Sequence, residues 1–169
     1  QTLDKDTPKE AVCQVFENVN TGGVSLTVFE LVTAIFAMDN FELRKDWEER
    51  QKKYFSDDIL SVTSATDFLT ACTLLSSYKK GGTVSCKKKD VLNLTLAEYQ
   101  RYADDLTEGF VEAEKILQEE RIFSSKDLPY TTQLIPLAVL CTLLADHNRI
   151  KTTSVKDKIK QWYWCCLLY

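Results

Sequence analysis

Apolar residues recur at spacings of three and four along almost the whole chain, and this periodicity predicts an all-α fold. Only segments 84–86 and 91–94 suggest strands, and both are too short to build a sheet. We therefore expect a single domain, residues 1–169, built as an irregular, orthogonal bundle of about seven helices around the buried helix 133–146. The predicted helices cover residues 8–18, 28–38, 42–54, 65–80, 95–120, 133–146 and 155 to the last residue.

Local capping signals mark several helix starts. Thr7, Thr27 and Thr95 are each followed three residues later by glutamate, the pattern in which hydroxyl and carboxylate cap the helix reciprocally. Gly109 interrupts the long helix at a cost of about 1 kcal/mol relative to alanine, which predicts close packing or a kink there. Pro136 predicts either a first-turn position or a kink in the helix 133–146.

The remaining two helices differ in polarity. Segment 42–54 is rich in charge, which predicts a surface helix, and we expect Leu43, Trp47 and Tyr54 to be its buried residues. Segment 65–80 has a continuous apolar face and ends at a glycine pair, which is typical of a helix stop.

Composition narrows the function classes. With 169 residues and 44% apolar content, the chain can bury a full core. The net charge of -4 argues against a broad basic face, so any contact with DNA must be local. The longest apolar run, 134–145, is too short to span a membrane, and no signal peptide is visible, so we expect no membrane partner. Six cysteines without a Cys-x-x-Cys pair favour free thiols and a cytoplasmic location.

No catalytic or metal-binding constellation is visible in the sequence. The single histidine, His147, lies at a predicted helix end, where a structural role is favoured over a catalytic one. Ligand pairs for zinc are missing. The neighbouring carboxylates at 57–58, 104–105 and 119–120 diverge on a helix, which favours a solvated surface for each pair. We therefore assign no catalytic residue, no metal and no cofactor to this chain alone.

One loop carries the only basic cluster of this acidic chain. Five lysines lie around it, and such a loop could hold phosphates, with Lys87, Lys88 and Lys89 as the candidates for contact with the DNA backbone. A solvated loop tip is the favoured alternative, because neither an arginine nor an aromatic residue joins the lysines. The five are Lys79, Lys80, Lys87, Lys88 and Lys89.

A polar, glycine-containing loop precedes the second predicted helix. Its side chains and bare backbone amides are suited to hold one small group such as a phosphate. Spacing alone favours a simple helix-stop turn, and the lysine of a familiar phosphate loop is missing. The candidate residues are Asn18, Asn20, Thr21, Gly22 and Gly23.

The last eight residues form one of the most apolar stretches of the chain. We expect this segment to dock into the domain, and we also expect the chain to be part of a longer protein whose remainder covers some of it. An alternative is that Trp162 and Trp164 form a surface for a partner or a homodimer.

The polar loop belongs to a longer motif that resembles a known family signature. Residues 16–31 match Phe-x-x-(Ile/Val)-Asn-Thr-Gly-Gly-x-x-Leu-(Thr/Ser)-x-x-Glu-Leu, found in the N-terminal domain family of GmrSD-type, modification-dependent (type IV) restriction endonucleases. The resemblance continues to residue 165. The further matching segments are 85–92, 108–110, 121–123, 127–130, 132–137 and 162–165.

The resemblance implies a role within a phage-defence protein. In that family a ParB-like core carries an Asp-Gly-Gln-Gln-Arg motif upstream of the Asn-Thr-Gly-Gly signature, and many relatives carry a His-Asn-His nuclease domain downstream. Neither motif occurs in this chain. The resemblance therefore implies a helical subdomain, inactive alone, that forms one wall of a nucleotide or DNA site. Its implied partners are the remainder of its own polypeptide and DNA, and the complete protein would use a nucleoside triphosphate with a divalent metal.

Overall fold

The computed structural model describes residues 26–56, 58–145 and 152–166. Within these ranges the chain forms seven α-helices and no strand, so the predicted all-α class is confirmed. The predicted helix 8–18 lies outside the described residues. The seven described helices include a short one, Lys88–Leu92, that the sequence pattern did not predict. The helices are α1 Val28–Ala37, α2 Leu43–Tyr54, α3 Ala65–Lys80, α4 Lys88–Leu92, α5 Leu96–Glu119, α6 Leu134–Ala145 and α7 Thr153–Cys165.

Side-chain caps fix where the principal helices begin. Thr27 accepts a hydrogen bond from the Glu30 amide at 3.2 Å, and the Glu30 carboxylate accepts one from the Thr27 amide at 2.7 Å. The same reciprocal box joins Thr95 to Glu98 at the start of α5. Both boxes were predicted. Since these hydrogen bonds satisfy amides that have no partner inside the helix, they set the entry points of α1 and α5.

The core lies where α5 and α6 pack together, with α3 covering both. Half of the twelve residues of α6 are buried, in keeping with its predicted central place. Pro136 is the third residue of this helix, so it occupies the first turn and replaces an amide that needs no partner. A cluster of aromatic rings fills the space between α2, α3 and α5, with centroids 5.3 to 6.3 Å apart: Trp47, Phe55, Phe68, Tyr99 and Phe110.

One predicted core position on α2 is wrong. Leu43 and Trp47 are buried as expected, but Tyr54 is 38% exposed, and its neighbour Phe55 is buried instead. Phe55 follows the last helical residue, with φ -122° and ψ 21°, so the backbone leaves helical geometry there. This change turns the ring of Phe55 into the aromatic cluster, where helical spacing alone would have placed Tyr54.

Candidate functional site

The sequence-predicted ligand loop lies outside the described residues. This applies to all five of its candidates, namely Asn18, Asn20, Thr21, Gly22 and Gly23. The described chain begins directly after the loop, at Leu26, which packs against the core, and continues into the Thr27–Glu30 capping box. Helix α1 then packs against α4, the short helix that carries part of the lysine cluster. The helix that the loop enters is therefore a direct neighbour of the basic segment.

The basic segment is a loop and a short helix between α3 and α5. Helix α3 ends at Gly81 and Gly82, whose φ angles of 78° and 86° are readily adopted by glycine. The sequence pattern missed α4, which spans only five residues and is too short to show an apolar period. It is tied to the core by Val91 and Leu92, which are both buried. Lys87, at its N-cap, and Lys88 and Lys89, in its first turn, are all exposed.

The Asp90 carboxylate orders the entry to α4. It accepts hydrogen bonds from the Ser85 hydroxyl at 2.5 Å and the Lys87 amide at 2.9 Å. The bond from Ser85 is the largest of the effects that lower the pKa of Asp90, and the charges of Lys87 and Lys89 lower it further. Ser85 is itself held, because its amide donates to the Ser77 hydroxyl of α3 at 3.0 Å. The backbone that carries the three exposed lysines is thus fixed to α3.

A polar cleft of about 190 Å³ lies between the end of α3 and the start of α5. At its floor, Glu98 accepts a hydrogen bond from Ser76 at 2.6 Å and pairs with Lys80 at 2.5 Å. Partial burial alone would raise the pKa of Glu98, but the bonds from Lys80, Ser76 and Thr95 together lower it to about 2. These polar groups bond to one another, and the ammonium group of Lys80 pairs with Glu98. The cleft therefore links the end of α3 to the start of α5, on either side of the lysine segment.

We call the three consecutive, exposed residues Lys87, Lys88 and Lys89 the lysine tip. Within the described ranges these three side chains make no ion pair, whereas Lys80, Lys115, Lys156 and Lys160 each pair with a glutamate. Three exposed ammonium groups on consecutive residues can contact phosphates as point charges without fixing a base sequence. This chemistry matches a polyanionic backbone better than a small, specific ligand.

Sequence reasoning missed a polar network beneath the aromatic cluster. The Tyr99 hydroxyl donates to Asp46 Oδ2 at 2.5 Å, and Arg50 Nε donates to the same oxygen at 2.9 Å. Arg50 also reaches Asp104 Oδ1 at 2.7 Å and Thr107 Oγ1 at 3.0 Å. Burial, followed by the bond to Asp46, raises the pKa of Tyr99 well above its usual range. The network joins α2 to α5 and holds a neutral phenol, so its role is structural.

The two predicted interaction residues lie on α7. Trp162 is half-buried and packs against the core, whereas Trp164 is 39% exposed. The indole N–H of Trp164 donates to Glu120 Oε2 at 2.9 Å, which ties this ring to the end of α5. Tyr163, between them in sequence, is buried. The exposed indole face of Trp164 is therefore the part of this pair that is available to a partner.

The described ranges contain neither a metal-binding cluster nor a membrane-spanning helix. In residues 26–56, 58–145 and 152–166, no three of His, Cys, Asp and Glu come together in a way that would hold a metal ion. None of the described helices combines the length and apolarity needed to cross a bilayer. His147 lies outside the described residues.

Comparison with known proteins gives no match. No protein-family model, curated protein or solved structure is similar to this chain. The resemblance to the GmrSD-type family rests on the sequence motifs alone.

Proposed function

We propose that this chain is the helical subdomain of a modification-dependent DNA-defence protein, in which it forms one wall of a nucleotide or DNA site. The proposal rests on one observation, the structural role of the second half of the signature at the start of α1. Leu26 packs against the core, Thr27 and Glu30 form the capping box, and Leu31 is buried. Folding of α1 thus accounts for the second half of the signature.

The first half of the signature lies outside the described residues. In the sequence, Asn18, Asn20 and Thr21 precede the capping box, together with a glycine pair that carries no side chains. Asn and Thr side chains and bare amides are donors suited to a phosphate. In the proposal these residues face the composite site, which is completed by the Arg-bearing loop of an upstream core. In the proposal the chain itself supplies no catalytic residue.

The lysine tip supplies the second contact. It is carried by α4, which packs against α1, the helix that follows the polar loop in the sequence. Its three exposed ammonium groups contact the DNA backbone and position the duplex without reading its sequence. The net charge of -4 keeps binding weak elsewhere on the surface, which restricts DNA to this region.

The lysine tip is tested by replacing Lys87, Lys88 and Lys89 with glutamine and measuring DNA affinity over a salt series. The affinity falls as salt rises, and each lost phosphate contact reduces the magnitude of the negative slope of log K against log salt by about 1. We therefore expect the magnitude of the slope to decrease by about 3. A matched control replaces Lys45, Lys52 and Lys126, which are exposed and scattered over other elements, and should leave most of the slope intact. Equal losses in the two triple variants would refute the assignment of the tip.

A second candidate function is a non-catalytic interaction or oligomerisation module, and the exposed face of Trp164 favours it. A large exposed aromatic ring is typical of the centre of a protein interface. This function requires no upstream core and no binding of nucleotide or DNA. Binding of either ligand therefore distinguishes the first function from the second.

A further inference from the structure

A small cavity of about 210 Å³ lies at the junction of α3, α5 and α6. The sequence showed neither an arginine nor an aromatic residue beside the lysine cluster, but the fold brings one of each to the cavity that Lys79 lines. The cavity is smaller than the roughly 300–1,000 Å³ of sites for drug-sized ligands, so it suits a single ring or phosphate group. Its lining residues are Leu75 and Lys79 of α3, Arg101, Tyr102 and Asp105 of α5, and Thr142 of α6.

Arg101 carries the guanidinium of this cavity. Its Cζ atom lies 5.4 Å from the centroid of the Tyr102 ring, so the cation lies over the aromatic face. Within the described ranges Arg101 makes no ion pair, whereas Arg50 of α2 pairs with both Asp46 and Asp104. The planar guanidinium stays charged and can donate two parallel hydrogen bonds to the oxygens of a phosphate. Arg101 is therefore suited to hold the phosphate of a ligand.

Tyr102 supplies an aromatic face in the same cavity. Its ring is half-buried and packs in part against the core, which fixes its position. Nucleobases stack on such a face whatever their sequence. Asp105 also lines the cavity, and its carboxylate accepts hydrogen bonds but repels a free anion. A ligand that combines a phosphate with an amino-bearing base suits all three side chains, and this is the chemistry of a nucleotide.

A polar cleft connects this cavity to the segment of the lysine tip. Lys80, which follows Lys79 directly, pairs with Glu98 in the cleft. Arg101 follows Glu98 by three residues on α5, so the two lie on one face of the helix, about 4.5 Å apart along its axis. Asp90, which orders the entry to α4, also lines the cleft. The cavity therefore lies beside the segment that carries the lysine tip.

We propose that the cavity binds one unpaired nucleotide of a DNA strand, with the phosphate on Arg101 and the base stacked on Tyr102. The lysine tip holds adjoining phosphates of the strand without reading its sequence. A base inside a duplex cannot stack on Tyr102, because neighbouring base pairs cover both of its faces. The inference rests on the DNA contact of the proposed function and specifies the form of DNA that the chain binds.

The test is fluorescence anisotropy with a labelled single-stranded oligonucleotide and with its duplex. Tyr102→Leu removes the aromatic face and should weaken single-strand binding about tenfold or more, but should change duplex binding by less than about twofold. Tyr102→Phe keeps the face and should retain the affinity for the single strand. Arg101→Gln should weaken single-strand binding and reduce the magnitude of its salt slope by about 1. Circular dichroism confirms that each variant keeps its helices.

The matched controls are Tyr130→Leu and Arg121→Gln, which make the same changes at exposed positions between α5 and α6. Both should leave single-strand binding unchanged. An unchanged affinity after Tyr102→Leu, or equal losses for the single strand and the duplex, overturns the inference. So does a loss in Tyr130→Leu as large as that in Tyr102→Leu.

The same measurements separate this inference from the proposed function. If the glutamine variant of the lysine tip loses duplex binding while Tyr102→Leu keeps its full affinity for the single strand, the DNA contact stands and the nucleotide cavity is refuted. If the unaltered chain binds neither form of DNA, both are refuted.

Photocross-linking of the unaltered chain gives a second readout that requires no variant to fold. A single strand that contains iodocytosine should cross-link to Tyr102, because the photoreaction favours an aromatic side chain stacked on the base. Mass spectrometry of the proteolytic peptides locates the cross-link. Cross-links confined to Tyr130 or Trp164, which are exposed elsewhere on the chain, would refute the cavity as the site of the base.

Discussion

Gly109 of α5 faces Thr142 of α6 so closely that a Cβ atom on Gly109 would lie 2.1 Å from Thr142 Oγ1. The same atom would lie 2.6 Å from the backbone oxygen of Ala138. The glycine is therefore required by helix packing, which is one of the two alternatives, close packing or a kink, that the sequence left open. Its cost in helix propensity is offset by the close approach of the two central helices.

The first prediction concerns this contact. Gly109→Ala should lower the free energy of unfolding by about 1–3 kcal/mol in chemical denaturation, although alanine is the better helix former by about 1 kcal/mol. Adding Thr142→Ala should restore only part of the loss, because the clash with the Ala138 carbonyl remains. A Gly109→Ala variant more stable than the unaltered protein would contradict the packing.

The second prediction concerns the partly buried network of Asp46, Arg50 and Tyr99. Tyr99→Phe removes the hydroxyl that donates to Asp46 and should destabilise the fold by about 1–2 kcal/mol. Tyr102→Phe, on the same helix and half-buried, is the control and should change stability by less than about 0.5 kcal/mol. The measurement is denaturant unfolding of both variants at neutral pH. Equal effects would mean that the network contributes nothing specific.

The third prediction concerns pH. The folded pKa of Glu98, about 2, lies below its ordinary value of 4.5, so this carboxylate stabilises the fold above about pH 4.5 and loses that contribution as the pH falls towards 2. Glu98→Gln should therefore cost about 2 kcal/mol at pH 7, a value reduced for partial exposure, and almost nothing near pH 2. Unfolding curves of both proteins over this range measure the difference. A loss that stays constant with pH would contradict the role of the ionised carboxylate.

The fourth prediction distinguishes the interaction module from the defence subdomain. If the exposed face of Trp164 mediates self-association, the chain should sediment as a dimer, and Trp164→Ala should convert it to a monomer with unchanged helicity. Trp164→Phe keeps an aromatic face but removes the N–H that bonds Glu120, so it should preserve the dimer. A chain that sediments as a monomer at every concentration would argue against homodimerisation.

Much of the fold was predictable because its signals are local. Each capping box lies within four residues, so Thr27 and Thr95 identified the starts of α1 and α5 correctly. The bounds of α3, 65–80, were also correct, because a glycine pair marks the end of that helix. Such features depend on backbone chemistry close in sequence and do not require knowledge of the tertiary packing.

Features that depend on distant contacts were missed. The network of Asp46, Arg50 and Tyr99 joins residues 53 apart, and no spacing rule connects them. Glu119 and Glu120 are accessible to solvent, as the sequence predicts, but their ion pairs with the lysines of α7 were not predicted. The sequence located the lysine tip, but it could not show that Lys80 pairs with Glu98 whereas the three lysines of the tip make no ion pair within the described ranges. The Asn-Thr-Gly-Gly loop stays a prediction.

The central claim is that the chain forms one wall of a composite nucleotide site. The direct measurement is hydrolysis of labelled ATP and GTP by this chain and by a polypeptide extended upstream to include the Asp-Gly-Gln-Gln-Arg core, with and without Asn20→Ala. We expect no hydrolysis by the chain alone, hydrolysis by the extended protein, and a marked loss of activity after Asn20→Ala with folding intact. Hydrolysis by neither protein, or activity unaffected by Asn20→Ala, would contradict the account.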